Sequence, residues 1–252
     1  MNNDKPFLNY EKGDPIAILK NKLKLLFLNK NYNNKNIKKI KYKFDKLYDV
    51  NNNIFHFPNI KKMRECIYVS GCSGAGKSYW IGEYGKIYSN LFKENNIILF
   101  SKKKYDAPLD KIKDLIRIPL NEDLYEFDLS YFSNSLVIFD DVDNLRNSKI
   151  KSEVYNIISD ILTNGRSEHI TIIITSHLMT NYKETRIILN ECPIMVFFPK
   201  SGNDYQIKNC LKTYFGLMNK QINKIFKINS RWVLINKSYP QYILYNKGCY
   251  LL

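Results

Sequence analysis

The sequence has no apolar run long enough to cross a membrane and no cysteine pattern typical of a metal site or a disulfide frame. None of its apolar stretches approaches the roughly 20 residues that a spanning helix needs. Residues 1–14 contain no apolar segment of the kind found in signal peptides. The five cysteines are scattered, with no CxxC pair and no histidine at ligand spacing. We therefore expect no membrane span, and reduced thiols in an intracellular protein. The cysteines are Cys66, Cys72, Cys192, Cys210 and Cys249.

Acidic residues are scarce relative to basic ones. Asp and Glu number 24 against 39 Lys and Arg, and the formal net charge is +15. An excess of this size favours a polyanionic partner such as nucleic acid. The composition offers a second explanation, because the chain is rich in Lys, Asn, Ile and Tyr and poor in Ala, as an AT-rich genome would encode. Charge alone leaves both explanations open.

A glycine-rich segment, GCSGAGKS at residues 71–78, matches the phosphate-binding pattern GxxxxGK[ST] in full. It follows the apolar run CIYVS and precedes a stretch that we expect to be helical, which is the context that the pattern requires. Glycines let the backbone bend tightly and bring its amide groups to an anion, aided by the positive end of the helix. Lys77 would reach the β- and γ-phosphates, and the Ser78 hydroxyl would ligate Mg²⁺. The alternative is a Gly-rich turn with a chance Lys-Ser pair. The predicted nucleotide-binding residues are Gly71, Ser73, Gly74, Ala75, Gly76, Lys77 and Ser78.

A second apolar run ends in acidic residues, SLVIFDDVDN at 135–144. Four apolar residues in a row suit a strand buried on both faces of a parallel sheet, whose carboxyl edge is where ligands of open α/β folds bind. Asp140 would hold Mg²⁺ through its water shell, and Asp141 would orient or deprotonate an attacking water. A solvated acidic turn is the alternative, and it becomes the weaker one downstream of a complete phosphate loop. The two motifs predict a nucleoside-triphosphate hydrolase.

The remaining pattern predicts an α/β domain with an appendage. Strand-like runs recur at α/β intervals, and helix-compatible stretches lie between them. We expect residues 1–62 to form a basic, helical amino-terminal appendage, because 16–30 has helix-like apolar spacing; a solvated arm is the alternative. Residues 63–252 would form the ATPase domain, ending in a helix and a β-hairpin that turns at 237–240. The predicted strands are 66–70, 96–101, 136–140, 170–176 and 194–198, and the predicted helices are 77–92, 148–164, 178–190 and 203–225.

A third motif, NGRSEHITIIITSH at 164–177, places an arginine before an apolar strand that ends in a polar pair. Ser176 and His177 would emerge beside the acidic pair and sense the γ-phosphate or position water, unless they only cap the strand end. Arg166 is one of only six arginines, and no Arg cluster typical of a kinase lid is present. We expect this Arg to lie near the edge of its own subunit's nucleotide site, since it precedes the strand that ends at Ser176 and His177. A single Arg at this place suits a finger given to a neighbouring subunit's nucleotide. A surface Arg that caps the preceding helix is the alternative.

Together these motifs resemble the FtsK–HerA superfamily of DNA-pumping ATPases. The chain is most similar to the poxvirus-type genome-packaging ATPases of large DNA viruses and virophages, over about residues 60–200. The resemblance implies a P-loop core with a mostly parallel five-stranded sheet flanked by helices, in which the sensor strand lies between the strands of the two phosphate motifs. It implies ATP and Mg²⁺ as cofactors, a homo-oligomeric ring (hexamer or pentamer), and transport of double-stranded DNA into a capsid with a capsid or portal partner. The implied location is the host cytoplasm or viral factory, or the virion.

The resemblance assigns roles to individual residues and has two departures. Lys77 and Ser78 match the phosphate loop, Asp140 the metal-binding acid and Arg166 the finger. The second acid is Asp141 where many members have Glu, and the sensor is Ser176–His177 where bacterial relatives have Gln.

Four other functions share part of this pattern. A replication ATPase of the AAA+ type, a helicase or helicase loader, would carry a helical lid after the core. A nucleotide-gated capsid assembly factor would bind ATP without moving DNA. A small-molecule kinase would need the missing arginine lid, and a GTPase would need an Asp that the segment NKSY at 236–239 lacks.

Overall fold

The structure, a computed structural model, describes residues 6–30, 53–62, 64–120, 127–181, 183–201 and 204–252. Its strands are β1 (Phe7–Asn9), β2 (Asp14–Leu19), β3 (Lys24–Asn29), β4 (Ile54–His56), β5 (Cys66–Ser70), β6 (Asn96–Ser101), β7 (Leu115–Pro119), β8 (Ser135–Phe139), β9 (Thr171–Ser176), β10 (Ile194–Phe197), β11 (Val233–Asn236), β12 (Tyr242–Tyr245) and β13 (Gly248–Leu251). Its α-helices are α1 (Lys77–Leu91), α2 (Ser148–Asn164), α3 (Arg186–Glu191), α4 (Asp204–Phe215) and α5 (Asn219–Phe226). Short 3₁₀ turns span Leu109–Lys111, Leu129–Phe132 and Val142–Asn144.

A nine-stranded sheet in the order β13-β12-β11-β10-β5-β9-β8-β6-β7 forms the centre of the molecule. The strands from β10 to β7 are parallel, and every residue of β5, β8 and β9 is buried, as expected for strands covered on both faces. The five predicted core strands are all present. The sensor strand β9 lies between β5 and β8, which is the order that the resemblance implied. The α/β fold class is confirmed.

The sheet is larger than predicted at both of its edges. A sixth parallel strand, β7, lies in the segment that showed no regular pattern in the sequence. At the other edge, β11 and β12 form the predicted hairpin, and β13 adds a third antiparallel strand. β11 also pairs antiparallel with β10, so the carboxyl-terminal strands extend the core sheet.

The helices agree with the prediction except after β9. α1 and α2 match the predicted bounds to within a residue, and α4 and α5 divide the single helix predicted at 203–225. The helix expected at 178–190 is reduced to the six residues of α3. Among the described residues, no helix has both the length and the apolar character needed to cross a membrane.

The amino-terminal region is not helical where the structure describes it, and that prediction was wrong. Residues 14–29 form the antiparallel pair β2–β3, within a four-stranded sheet of order β1-β3-β2-β4. Burial alternates along the middle of β3, where Leu26 and Leu28 are buried and Leu25 and Phe27 are only half-buried. Leu23, with φ of 46°, turns the chain between the two strands, which no helix could accommodate. The rest of the predicted appendage, residues 1–5 and 31–52, lies outside the described residues.

This small sheet is joined to the core through a buried polar contact. His56 Nε2 lies 3.0 Å from Glu65 Oε2, and the Tyr84 hydroxyl of α1 donates to the same oxygen over 2.8 Å. Burial raises the pKa of the Glu65 carboxyl, but His56 and the hydrogen bonds from His56, Tyr84 and Asn59 lower it below its ordinary value. The carboxylate is therefore ionised at neutral pH and links the small sheet, β5 and α1.

Candidate active site

The phosphate loop lies at the carboxyl edge of the parallel sheet, between β5 and α1. The backbone amide of Gly71 donates to the Ser176 carbonyl over 3.1 Å, which ties the start of the loop to the neighbouring strand. Gly74 and Gly76 have φ of +74° and +119°, conformations that side chains with a Cβ rarely adopt. Lys77 is buried, and its Nζ donates to the Gly71 carbonyl over 2.8 Å. The lysine is therefore folded back over its own loop.

Asp140 follows β8 at the same edge and is held by two hydroxyl groups. Its side chain is 1% exposed, Ser101 Oγ donates to Oδ2 over 3.1 Å, and Thr175 Oγ1 donates to Oδ1 over 3.2 Å. Burial raises the pKa of the Asp140 carboxyl and the charge of Asp141 raises it further, while Lys103 opposes both. The carboxylate is thus fixed in place and poorly solvated, so that a nearby cation would stabilise it.

Asp141 is placed against the phosphate-loop lysine. Its Oδ1 lies 3.3 Å from Lys77 Nζ and 3.7 Å from His177 Nδ1, and its backbone amide donates to Thr175 Oγ1 over 2.7 Å. The residue has left-handed backbone angles, φ 51° and ψ 46°, of a kind that non-glycine residues adopt mainly at special sites. Burial raises the pKa of the Asp141 carboxyl, but Lys77, His177 and Lys103 together lower it below its usual value. Asp141 is therefore a weak base, better suited to orienting a water than to removing its proton.

The polar end of β9 differs in part from the prediction. His177 lies as expected beside the acidic pair: its backbone amide donates to Asp143 Oδ2 over 2.8 Å, and its ring faces Asp141. The Ser176 hydroxyl instead donates to the Leu178 carbonyl over 2.8 Å, on the opposite face of the strand from Thr175. Thr175 is the strand-end residue whose hydroxyl reaches both acids.

Arg166 lies away from this site. It is exposed in the turn between α2 and β9, at the amino edge of the sheet, and the length of β9 separates it from the phosphate loop by about 17 Å. There it lines a cavity of about 750 Å³ together with Lys61, Arg64 and Tyr239. The expectation that Arg166 sits near its own subunit's nucleotide site was wrong. The helix–turn–strand connection of a parallel sheet returns the chain to the edge opposite the ligand.

Two residues in loops add to the site and were not identified from the sequence. Lys103 Nζ lies 3.4 Å from Asp106 Oδ2, and Asp106 Oδ2 accepts a hydrogen bond from Ser78 Oγ over 3.0 Å. Together with Lys77, Asp141 and the loop they line a cavity of about 240 Å³. No local sequence pattern marks them, because only the fold brings the segment after β6 to the phosphate loop.

Arg231 fastens the phosphate loop to the carboxyl-terminal strands. Its Nε donates to the Ala75 carbonyl over 2.8 Å and its Nη2 to the Gly74 carbonyl over 3.0 Å. A Cβ on Gly76 would lie 3.1 Å from the same Nε, so the arginine packs closely against the backbone of the loop. It lines a second cavity of about 330 Å³ on the other side of the loop, with Phe198 and Lys200. The sequence before β11 gives no sign of this contact.

The donor set at the loop fits Mg²⁺ with nucleotide phosphates. The hydroxyl of Ser78 and the carboxylates of Asp140 and Asp106 are hard oxygen ligands, and an ammonium group, that of Lys103, already sits among the carboxylates. Within the described ranges, no set of three His, Cys, Asp or Glu side chains closes around a single point. A divalent cation here would take the rest of its ligands from phosphate and water, as Mg²⁺ does in nucleotide sites.

Comparison with known proteins gave one similar sequence and a set of similar folds. No protein-family model matches the chain. The uncharacterized protein V3 of Sputnik virophage is 42% identical over 195 residues, which are 76% of this chain and 78% of that protein.

Solved structures with a similar fold include a viral genome-packaging NTPase and a conjugation coupling protein. The genome-packaging NTPase B204 of Sulfolobus turreted icosahedral virus 2, in complex with AMPPCP, has a TM-score of 0.45 and 10% identity over 75% of this chain and 97% of that one. The conjugation coupling protein TcpA of pCW3, with ATPγS, has a TM-score of 0.45 and 10% identity over 92% of this chain and 73% of that one.

Proposed function

This chain belongs to the family of protein V3 of Sputnik virophage, and from its phosphate site we propose that it is an ATP-hydrolysing motor that packages double-stranded viral DNA into a capsid. The proposal has two parts, hydrolysis and DNA transport, which rest on different observations. The relative comes from a virophage, which supports a viral context. The cytoplasm or viral factory is therefore the proposed location, and the virion is the alternative.

The observation that carries the hydrolysis part is the meeting of Lys77, Asp140 and Asp141 at one sheet edge. The Lys77 ammonium lies 3.3 Å from the Asp141 carboxylate. The loop that carries Lys77 presents backbone amides and leads into the amino end of α1. In the proposed reaction Lys77 leaves Asp141 to bind the β- and γ-phosphates, which frees that carboxylate to hold the attacking water. His177 keeps its backbone bonded to Asp143 and presents its ring to Asp141, so it limits the positions that this carboxylate can take.

The proposed cofactors are ATP and Mg²⁺. Ser78 and Asp140 would hold the cation, which would neutralise charge that develops on the phosphates. The loop residues from Gly71 to Ser78 would surround the phosphates with amide groups. ATP analogues are bound to B204 and TcpA, as their descriptions state.

The DNA part rests on net charge and on the relatives. The formal charge of +15 favours a polyanionic partner, and B204 is described as a genome-packaging NTPase. The alternative of an AAA+ replication ATPase is not favoured, because in the described residues the core is followed by α4, α5 and antiparallel strands that complete the main sheet. A homo-oligomeric ring, hexamer or pentamer, and a capsid or portal partner complete the proposal.

ATPase activity with and without double-stranded DNA tests both parts. We expect ATP hydrolysis that DNA stimulates several-fold and that Lys77→Ala abolishes, since this substitution removes the cation that binds the β- and γ-phosphates. Circular dichroism of Lys77→Ala should match the wild type. Hydrolysis without any response to DNA would overturn the motor and favour the assembly factor, and no hydrolysis at all would overturn the enzyme.

A further inference from the structure

Lys103 is surrounded by carboxylates beside the phosphate loop. Its Nζ lies 3.4 Å from Asp106 Oδ2, 3.5 Å from Asp140 Oδ2 and 3.3 Å from Asp141 Oδ2. The side chain is 46% exposed, so it can swing into solvent without unfolding its surroundings. Three carboxylates this close would repel one another without a cation between them. The ammonium group therefore supplies positive charge at the point where the acids converge.

Asp106 has an oxygen atom without a partner. Its side chain is only 10% exposed; Oδ2 accepts from Ser78 Oγ, whereas Oδ1 is buried and has no hydrogen-bond partner in the structure. A buried carboxylate oxygen without a donor costs free energy unless something else satisfies it. The atom therefore indicates a ligand that the protein itself does not provide.

The position of Asp106 is fixed by the fold. Its backbone amide donates to Asp110 Oδ2 over 2.8 Å, and the following turn packs closely on α1. The packing is close because Gly82 faces the Pro108 carbonyl, where a Cβ would approach to 2.7 Å. Asp106 is thus held beside Ser78, the residue predicted to ligate the cation.

We propose that Asp106 is an additional cation-positioning residue of the nucleotide site, holding a water of the Mg²⁺ shell beside Ser78, and that Lys103 fills this place until the cation binds. The inference rests on the proposed ATPase function. A divalent cation brings two positive charges to the carboxylates and displaces the single charge of Lys103 into solvent. Asp106 Oδ1 then accepts a hydrogen bond from water of the cation's shell, which satisfies a buried carboxylate oxygen that the described part of the protein leaves without a donor.

Binding of Mn²⁺ alone to the nucleotide-free protein, followed by the electron paramagnetic resonance signal of the free ion, tests this directly. Lys103→Met should bind Mn²⁺ about tenfold more tightly than the wild type, because the competing ammonium is gone. Asp106→Asn should bind it about tenfold more weakly, the usual effect of losing a group that positions a metal. Lys104→Met, at an exposed position nearby, and Asp114→Asn, at an exposed position on the opposite edge of the sheet, change the same charges and should match the wild type.

Two further measurements keep the outcomes distinct. Lys103→Gln, with a side chain of similar reach, should repeat the effect of Lys103→Met. It replaces Lys103→Met as the test variant if the circular dichroism of Lys103→Met differs from that of the wild type. The affinity for ATPγS in EDTA should be unchanged in Asp106→Asn. Equal Mn²⁺ affinity in Lys103→Met and Lys104→Met would overturn the proposal. A loss of ATPγS affinity in Lys103→Met would also overturn it, because this lysine would then bind phosphate. If the wild-type protein does not bind ATPγS, the proposed function fails. The Mn²⁺ measurements on the nucleotide-free protein still test whether Asp106 and Lys103 affect cation binding.

Discussion

At the scale of single residues, the adjacent acids Asp140 and Asp141 occupy opposite environments. Asp140 is buried between two hydroxyls and has a raised pKa, whereas Asp141 faces cations and has a lowered one. This difference suits two roles. The Asp140 carboxylate is stabilised in its ionised form by a bound cation, and the Asp141 carboxylate stays ionised and holds the attacking water. It also gives each acid a separate experimental signature.

Asp141→Asn should bind ATPγS with wild-type affinity but hydrolyse ATP about 10²- to 10⁴-fold more slowly. The amide keeps the shape of the side chain but loses the charge that holds the attacking water. Nucleotide affinity and single-turnover hydrolysis are the two measurements. Normal turnover would remove Asp141 from the reaction and direct attention to Asp143, which bonds the His177 backbone.

Asp140→Asn should abolish Mg²⁺-dependent hydrolysis and yet raise the free energy of unfolding at pH 7 in EDTA by about 1 kcal/mol. The sign follows from the raised pKa. The folded state binds a proton more tightly than the unfolded chain, so the wild type loses stability as pH rises from the unfolded value of about 3.9 through the folded value. The asparagine variant does not lose stability in this way. Below this pH window the free energies of unfolding of the two proteins should therefore become equal. Urea titrations at pH 3 and pH 7 measure both, with exposed Asp114→Asn as the control; a variant less stable than the wild type at pH 7 would contradict the argument.

At the scale of elements, the sequence predicted the strands that follow from a local pattern. It missed the contacts between loops that are distant in the sequence. Buried parallel strands read as continuous apolar runs, so all five core strands and their acids were predictable. The apolar spacing of residues 16–30 fits both a helix and two strands, and packing against α1 decided for strands. Of the predicted sensor pair Ser176–His177, only His177 lies beside the acids, and the hydroxyl that reaches them is that of Thr175, because the sequence does not show which face of β9 meets the acids. Lys103, Asp106 and Arg231 come from loops that meet only in the folded chain.

The contact of Arg231 with the phosphate loop makes the carboxyl-terminal strands part of nucleotide binding. Arg231→Ala should lower the affinity for ATPγS about tenfold, roughly 1.4 kcal/mol, because the carbonyls of Gly74 and Ala75 lose the group that holds the loop in shape. Arg231→Lys separates shape from charge, since lysine keeps the charge but cannot donate through a planar fork. We expect only a small recovery with lysine in isothermal titration calorimetry. Full recovery of affinity with lysine would assign the effect to charge near the phosphates. Unchanged affinity in Arg231→Ala would show that the loop contact does not contribute to nucleotide binding.

At the scale of the whole molecule, the two edges of the sheet divide the proposed functions. The carboxyl edge carries the nucleotide site, and the amino edge carries Arg166 beside Lys61 and Arg64 in the 750 Å³ cavity. A closed ring is built from head-to-tail contacts, in which one face of a subunit meets a different face of its neighbour. Such a contact is the geometry by which the amino edge of one subunit can meet the carboxyl edge of the next.

The separation of Arg166 from its own phosphate loop sharpens the test of the proposed ring. With about 17 Å of strand between them, Arg166 cannot act on the nucleotide of its own subunit. If it is a finger it acts in trans, so specific activity should rise with protein concentration as subunits assemble. Arg166→Ala should bind ATPγS normally and hydrolyse ATP about 10³-fold more slowly.

Mixing two inactive variants then decides between a finger and a structural arginine. Lys77→Ala lacks a working phosphate loop but keeps Arg166, whereas Arg166→Ala lacks the arginine but keeps the loop. In a mixed ring some intact loops face an intact Arg166 on the neighbouring subunit, so part of the activity should return. Each variant mixed with itself at the same total concentration is the control, and native mass spectrometry establishes that mixed rings have formed. Mixed rings without any recovered hydrolysis would sink the assignment in trans, and because the fold already prevents action in cis, Arg166 would then belong to the cavity at the amino edge alone.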